Sequence, residues 1–393
     1  MRKVLFIGLL LIASRAGAAF PTGWNSRCAL TIDKTKVAAD QTGFPVLIGY
    51  NSVATETNLP DEMITTGNSH AAQSDGGDIR FTSDLAGTTQ LPCDISVFTQ
   101  NATPANAKAE IWVKITSLSS SNNTTIYVWY NAGGGQSQPA ANDTYGSQNV
   151  YDTNYKGVWH LSETGTNPTA YDESSNGNNS TSQAWTPAAT KIDGGSTYNG
   201  SGQYIDVGNP SSLQLTGAAM TLSAWVYEST YVNYAGIVQK GAAGTGNYFL
   251  RNLEPEGAIY FQISGNSYYA GSTLSSGAWH YICGVYDGAK VIIYVDGTPT
   301  NGTSKTGNMS GSTDEVNFGR DTYSGTRDFN GKIDEVRISN KARSSTWITT
   351  ELNNQGTPNT FWSVATPDYL GPPPSLPKVT LVRNASLRNC VIR

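Results

Sequence analysis

The sequence predicts an all-β protein built as two β-sandwich domains, on three observations. The 393-residue chain is rich in glycine (41) and tyrosine (21) and only 14% charged. That mix suits sandwiches, which place Gly and Asn in turns and Tyr and Thr in strands. Short apolar runs, several of them alternating with polar residues, recur between Gly, Asn and Pro punctuation. A polar stretch from Gln136 to Tyr155 divides these runs into two sets and reads as a linker. The net charge of -5 leaves no basic footprint for nucleic acid.

Residues 1–18 read as an export signal. Arg2 and Lys3 form the positive region, Val4 to Ala13 the apolar core and Ala16-Gly17-Ala18 the small-residue cleavage site. The core is too short to span a bilayer, and no later stretch reaches the roughly 20 apolar residues that spanning needs. An exported chain, soluble or surface-attached, is the expectation. Export permits disulfides. Of Cys28, Cys93, Cys283 and Cys390, the first two share a predicted domain and could pair, while Cys283 sits in an apolar run and reads as a small core residue.

In the first set, predicted to form a domain over residues 24–149, strands are expected at Cys28–Ile32, Phe44–Tyr50, Gly77–Thr82, Leu91–Ile95, Ala109–Ile115 and Thr125–Asn131. The last two alternate well, so each is expected to bury one face. The runs Asp78 to Thr82, Ile111 to Lys114 and Tyr127 to Asn131 resemble the bacterial domain of unknown function 2341. That resemblance implies no activity. It does imply a following laminin-G-like jelly roll in an exported bacterial protein.

The second set, residues 156–368, closes on Phe329-Asn330-Gly331-Lys332-Ile333-Asp334-Glu335-Val336-Arg337-Ile338-Ser339. Its apolar residues do not alternate strictly, so a local irregularity is expected around Asp334-Glu335. The run resembles the closing strand of the laminin-G-like, concanavalin-A-like jelly roll. The landmarks Gly157 to Leu161, Asp172 to Asn178, Tyr204 to Val207, Met220 to Val226, Gly277 to Tyr281 and Ile293 to Gly297 follow in family order. That family consists mostly of binding and adhesion modules, and fold alone does not settle function. A short helix at Thr346–Leu352 is expected under the sandwich, with Trp362–Val364 as a last edge strand. The Pro-rich basic stretch 371–393 reads as a disordered tail.

The resemblance implies one structural calcium ion, with Asp334 as the first ligand and Asp172 as a second, since hard cations take oxygen ligands. The competing reading is that Asp334 pairs with an Arg or accepts backbone N–H bonds, and that Asp172 caps a turn. For glycan binding the candidates are Tyr231, Tyr234, Tyr248 and Tyr269, because aromatic faces stack on sugar rings. Adjacent Tyr268 and Tyr269 point to opposite faces of a strand. Trp225 and Trp279 read as core. Glycoside hydrolysis needs two facing carboxyls. Glu254 and Glu256 are spaced to share a face, but Pro255 and Gly257 predict a hairpin turn there. No serine nucleophile motif is present. The expectation is an exported, non-catalytic binding or adhesion protein whose partner is a glycan or cell-surface polymer. The alternative is a structural surface protein contacting other surface proteins.

Overall fold

The computed structural model describes residues 20–49, 59–242, 246–265, 267–321 and 327–370. The export signal, Cys390 and the Pro-rich tail lie outside the described residues.

The first domain contains β1 (Ser26–Ile32), β2 (Gln41–Ile48), a one-turn helix α1 (Asp61–Ile64), β3 (Arg80–Thr82), β4 (Gln90–Leu91), β5 (Cys93–Thr99), β6 (Lys108–Leu118) and β7 (Thr124–Tyr130). The second contains β8 (Tyr155–Trp159), β9 (Ser182–Ala184), β10 (Thr186–Ala189), β11 (Gly194–Asn199), β12 (Tyr204–Gly208), β13 (Met220–Glu228), β14 (Gly236–Lys240) and β15 (Tyr248–Leu253). It continues through β16 (Ala258–Ile263), β17 (Tyr268–Thr273), β18 (Trp279–Tyr286), β19 (Lys290–Val295), β20 (Thr298–Ser304), β21 (Val316–Phe318) and β22 (Asn330–Ser339). Two helices, α2 (Ser345–Gly356) and α3 (Pro358–Phe361), lead to β23 (Trp362–Val364) and β24 (Asp368–Tyr369). The expected all-β, two-sandwich architecture is the observed one.

In the jelly roll, an eight-stranded sheet ordered β10-β11-β22-β13-β18-β19-β20, with β8 also on β22, faces a seven-stranded sheet ordered β17-β16-β15-β14-β21-β12-β9. Their inner faces share one core that includes Trp159, Leu222, Ile237, Leu250, Phe261, Phe318, Ile333, Val336 and Ile338. The irregularity read in the closing run is a bulge. Trp225 pairs with Asp334 and Ser223 with Arg337, so Glu335 and Val336 together oppose Ala224. Glu335 takes a φ of 53°, rare for a non-glycine residue. The extra residue lets Ile333, Val336 and Ile338 all reach the core while Asp334, Glu335 and Arg337 stay out of it.

In the first domain, a sheet ordered β23-β1-β7-β3-β4 packs on the sheet β2-β6-β5. The predicted last edge strand therefore exists, but on a different sheet. Trp362 to Val364 pair with Ile32 to Leu30 of β1 rather than with the jelly roll. The helix at 345–356 is longer than expected and wedges between the domains. Its Trp347 packs at 4.7 Å on Phe44 of the first core, and Asn354 hydrogen-bonds both the N–H and the carbonyl of Leu47. Ile348 joins a third apolar cluster that unites Leu47 and Trp112 with Tyr151, Val158, Trp225 and Tyr281. This cluster cements the outer face of the eight-stranded sheet to β2 and β6.

Three expectations change. Alternation in β6 does not mean one wet face: Ile111 and Val113 line the first core, while Glu110 and Trp112 are fully buried against the jelly roll. The 136–155 stretch is docked, with Tyr151 buried in the seam. Cys28 and Cys93 do not pair. They lie on β1 and β5 in opposite sheets, and both thiols are free, as is that of the buried Cys283. Burial pushes the Cys28 and Cys93 thiols up to about 12.

Candidate functional site

The outer face of the seven-stranded sheet is not covered by the other domain. Register sets its composition. Tyr269 pairs with Gln262, which pairs with Phe249, and Gly271 pairs with Tyr260, which pairs with Arg251. Side chains directly opposite across strands share a face, so the outer face carries Tyr260, Tyr269, Gln262 and Arg251 in neighbouring positions. The inner residues Leu250, Phe261 and Ala270 belong to the core.

Tyr269 is 47% exposed. Its ring lies 5.8 Å from that of Tyr260 at an interplanar angle of 55°. Gly271 makes the pair possible, because a Cβ there would come within 2.5 Å of the Tyr260 ring. Beside the rings, Arg251 donates from Nε to Gln262 Oε1 at 2.6 Å. Arg251 Nη1 is buried and has no hydrogen-bond partner among the described residues. Tyr234, Arg251, Glu254, Tyr260, Gln262 and Tyr269 enclose a cavity of about 320 Å³. A second cavity of about 510 Å³ lies against Tyr260 and Tyr269 from the side of Pro255, Asn301 and Thr303. The two share both rings, which gives an open groove along the aromatic faces, with the buried Gln262 amide and Arg251 guanidinium at its floor.

Of the four predicted tyrosines, Tyr234 and Tyr269 meet in this groove, and Arg327 lies 4.7 Å over the Tyr234 ring. Tyr231 stands at the margin, its hydroxyl donating to the Leu253 carbonyl at 2.6 Å. Tyr248 does not reach the groove. It is fully buried in the jelly-roll core because its position on β15 has inward parity with Leu250. Tyr268 packs on the same core, so Tyr268 and Tyr269 take opposite faces, as alternation requires. The sequence reading missed Tyr260. Its only signal was its place opposite Arg251, a pairing set by the hairpin. Trp225 is buried as expected, and Trp279 is partly buried against the same interdomain cluster.

Glu254 and Glu256 flank the turn between β15 and β16 as expected. Only Glu254 lines the groove, where Asn233 Nδ2 donates to it at 2.7 Å. They do not form a facing pair across a cleft.

The two residues expected to hold calcium differ: the Asp172 carboxylate is saturated, whereas Asp334 Oδ1 has no hydrogen-bond partner among the described residues. Asp172 accepts from Val158 N, Ser174 N, Ser174 Oγ and Asn178 N at 2.7–2.9 Å, so N–H and O–H donors surround both oxygens. Asp334 Oδ2 accepts from Thr190 Oγ1 at 2.9 Å and Ile192 N at 2.8 Å. These contacts fill the place where the edge partner of β22 changes from β11 to β8. The turn-capping and N–H-accepting roles weighed from sequence are the ones observed. Burial holds the Asp334 carboxyl well above the usual carboxylate range.

Two antiparallel sheets closed on one core, packed through the outer face of one sheet on a second sandwich, define a jelly-roll protein with an appended β domain. Residues 199–349 match the concanavalin A-like lectin/glucanases superfamily. Residues 75–188 match domain of unknown function 2341. Both resemblances read from the sequence are thereby borne out. The second match extends past the linker into the first strands of the jelly roll. Comparison of the sequence with curated proteins found no match.

Among solved structures, the chain is similar to domain 4 of AbnA, a GH43 extracellular arabinanase from Geobacillus stearothermophilus, in complex with arabinotriose. That match has 16% identity, covers 51% of this chain and 98% of that one, and has a TM-score of 0.40. It is also similar to the binding domain of Paraclostridial Mosquitocidal Protein 1, at 13% identity over 51% of this chain and 52% of that one, TM-score 0.40. The receptor-binding domain of botulinum neurotoxin mosaic serotype C/D matches at 14% identity over 51% of each chain, TM-score 0.40. The chain thus spans about half the length of the two toxin domains. Among the described residues, no helix is long and apolar enough to cross a membrane.

Proposed function

We propose that this is an exported, non-catalytic binding protein whose jelly roll holds a glycan chain on the outer face of the seven-stranded sheet. One observation carries the reading: the exposed Tyr269 and the half-buried Tyr260 stand side by side, over the buried Arg251 and Gln262. Aromatic faces take the apolar faces of sugar rings. The unpartnered Arg251 Nη1 beneath the rings is a donor left over for a hydroxyl, and an open groove admits a polymer rather than a single small molecule. Among the described residues no facing carboxyl pair accompanies these groups, which supports binding without cleavage. The match of residues 199–349 to a superfamily of lectins and glucanases agrees with a sugar ligand.

The test is a glycan-array screen of residues 19–370, wild type against Tyr260→Ala and Tyr269→Ala. Binding of a defined sugar class by wild type, lost in both variants, is the expected result. No binding by a folded wild type would instead favour a structural surface protein that contacts other proteins.

A further inference from the structure

The seam between the domains holds a second constellation that the glycan groove does not use. His160, just after β8, is 2% exposed and stacks on Trp112 of β6, rings 5.3 Å apart and 12° from parallel. Its Nδ1 lies 2.6 Å from Glu335 Oε1 and 3.1 Å from Glu110 Oε1. Glu110, from the first domain, is fully buried. These three ligand atoms all lie within 4.8 Å of one another.

We propose that Glu110, His160 and Glu335 form a binding site for a divalent transition-metal ion, zinc foremost, that clamps the two domains together. Four observations point to it.

One ring N–H cannot serve two carboxylates equally, and Glu110 Oε2 has no hydrogen-bond partner among the described residues. A buried, unpartnered carboxylate oxygen is costly, and a cation bound by both glutamates removes that cost.

Each of the three groups is also held by a neighbour, Glu110 through the same oxygen that faces His160. Arg337 donates to Glu335 Oε2 at 2.7 Å, Trp112 Nε1 donates to Glu110 Oε1 at 3.0 Å, and His160 Nε2 sits 3.2 Å from Asp94 Oδ2. Outer partners of this kind, above all a carboxylate on the second imidazole nitrogen, fix metal ligands in place.

Glu335 is aimed by the bulge and its left-handed backbone, and such strain concentrates at functional positions.

Finally, an anionic cavity of about 340 Å³, lined in part by Asp94, Glu163 and Glu173, reaches the site at His160, while Glu110 and Glu335 lie behind the imidazole from it.

The donor set selects the metal class. One imidazole nitrogen and two carboxylate oxygens suit zinc, with bonds of about 2.0–2.2 Å. Calcium takes roughly six to eight oxygens and does not favour nitrogen. The three ligands come from both domains, so the ion would make their docking metal-dependent.

The test uses the full chain, stripped with chelator and then given zinc or cobalt. One zinc per chain by elemental analysis, a visible d–d absorption for cobalt, and a rise in unfolding temperature with zinc are expected. Glu110→Gln should weaken zinc binding by at least tenfold, while Glu173→Gln, in the cavity but outside the ligand set, should bind as wild type does. A folded wild type that takes up no stoichiometric zinc and gives no cobalt band overturns the proposal. So does zinc binding undiminished in both Glu110→Gln and Glu335→Gln, which would place the ion elsewhere. The wild-type metal content and cobalt spectrum decide the matter even if the variants do not fold.

Discussion

Tyr260 and Tyr269 stand one strand apart with their rings 5.8 Å from each other, and Gly271, directly across the ladder from Tyr260, leaves the room that its ring occupies. Tyr269 is half exposed and its side chain makes no hydrogen bond among the described residues. Tyr269→Ala should therefore leave stability within about 0.5 kcal/mol of wild type while weakening glycan binding by roughly tenfold or more, the loss seen when a central aromatic anchor is truncated. Equal losses of both, measured by thermal unfolding and by a binding isotherm, would make it a fold residue.

Gly271→Ala probes the same groove from beneath. The new methyl would meet the Tyr260 ring at 2.5 Å. The ring has solvent to move into, so the fold should persist. Binding should fall although no presumed ligand contact is removed. Unchanged affinity in a titration against the same glycan would mean that the orientation of Tyr260 does not matter.

Trp112→Ala opens the seam. The side chain is fully buried, stacks on His160 and lies 4.3 Å under the Arg337 guanidinium. Removing a buried Trp costs about 3–5 kcal/mol. Chemical denaturation should show that loss and should split one transition into two as the domains uncouple. A change below about 1 kcal/mol would show that the seam contributes little.

Asp172→Ala removes one carboxylate that serves four donors, Val158 N on β8 and three in the Asp172–Asn178 loop. Several buried N–H groups lose their acceptor, at about 1–3 kcal/mol each where water cannot replace it. The melting temperature should drop by the same amount with and without added calcium. A drop seen only in calcium would restore the family's metal role to this residue.

Lys240 gives a pH signature. It is fully buried, with its ammonium on Asn209 Oδ1 at 2.7 Å and on the Asp314 carbonyl. Burial lowers its pKa to about 8, against the partial opposition of Asp314 and Glu315. The folded state therefore gives up this proton before the unfolded state does. The unfolded chain binds more protons between about pH 8 and the ordinary lysine value, so stability rises with pH across that window. Below it, the cost of the buried charge is fully present. Wild type should gain on Lys240→Gln between pH 7.5 and 9.5 in paired thermal melts. Parallel curves would contradict this.

Much of the fold was legible because it rests on local period. The closing run, the hairpin at Pro255 and the helix after Arg343 each follow from neighbours a few residues away. What was not legible depends on distant partners. Trp362 joins β1 some 330 residues upstream, so the sheet it extends could not be read from its own composition. Alternation along β6 marks two faces but not that a second domain covers the polar one, which makes Glu110 and Trp112 interior. Of the groove, Tyr234 and Tyr269 could be picked out as aromatics in polar surroundings, whereas Tyr260 gains meaning only opposite Arg251. The His160 cluster joins side chains 175 residues apart through a bulge, and the sequence showed the bulge without showing where it aims.

Affinity electrophoresis of the wild type and Tyr260→Ala through gels containing a panel of neutral and acidic polysaccharides tests the central claim most directly. The account expects wild type to be retarded in at least one gel and Tyr260→Ala to run freely in that same gel. A folded wild type that runs freely through every polysaccharide, or a variant retarded as strongly as wild type, would contradict a glycan site on the outer face of the seven-stranded sheet.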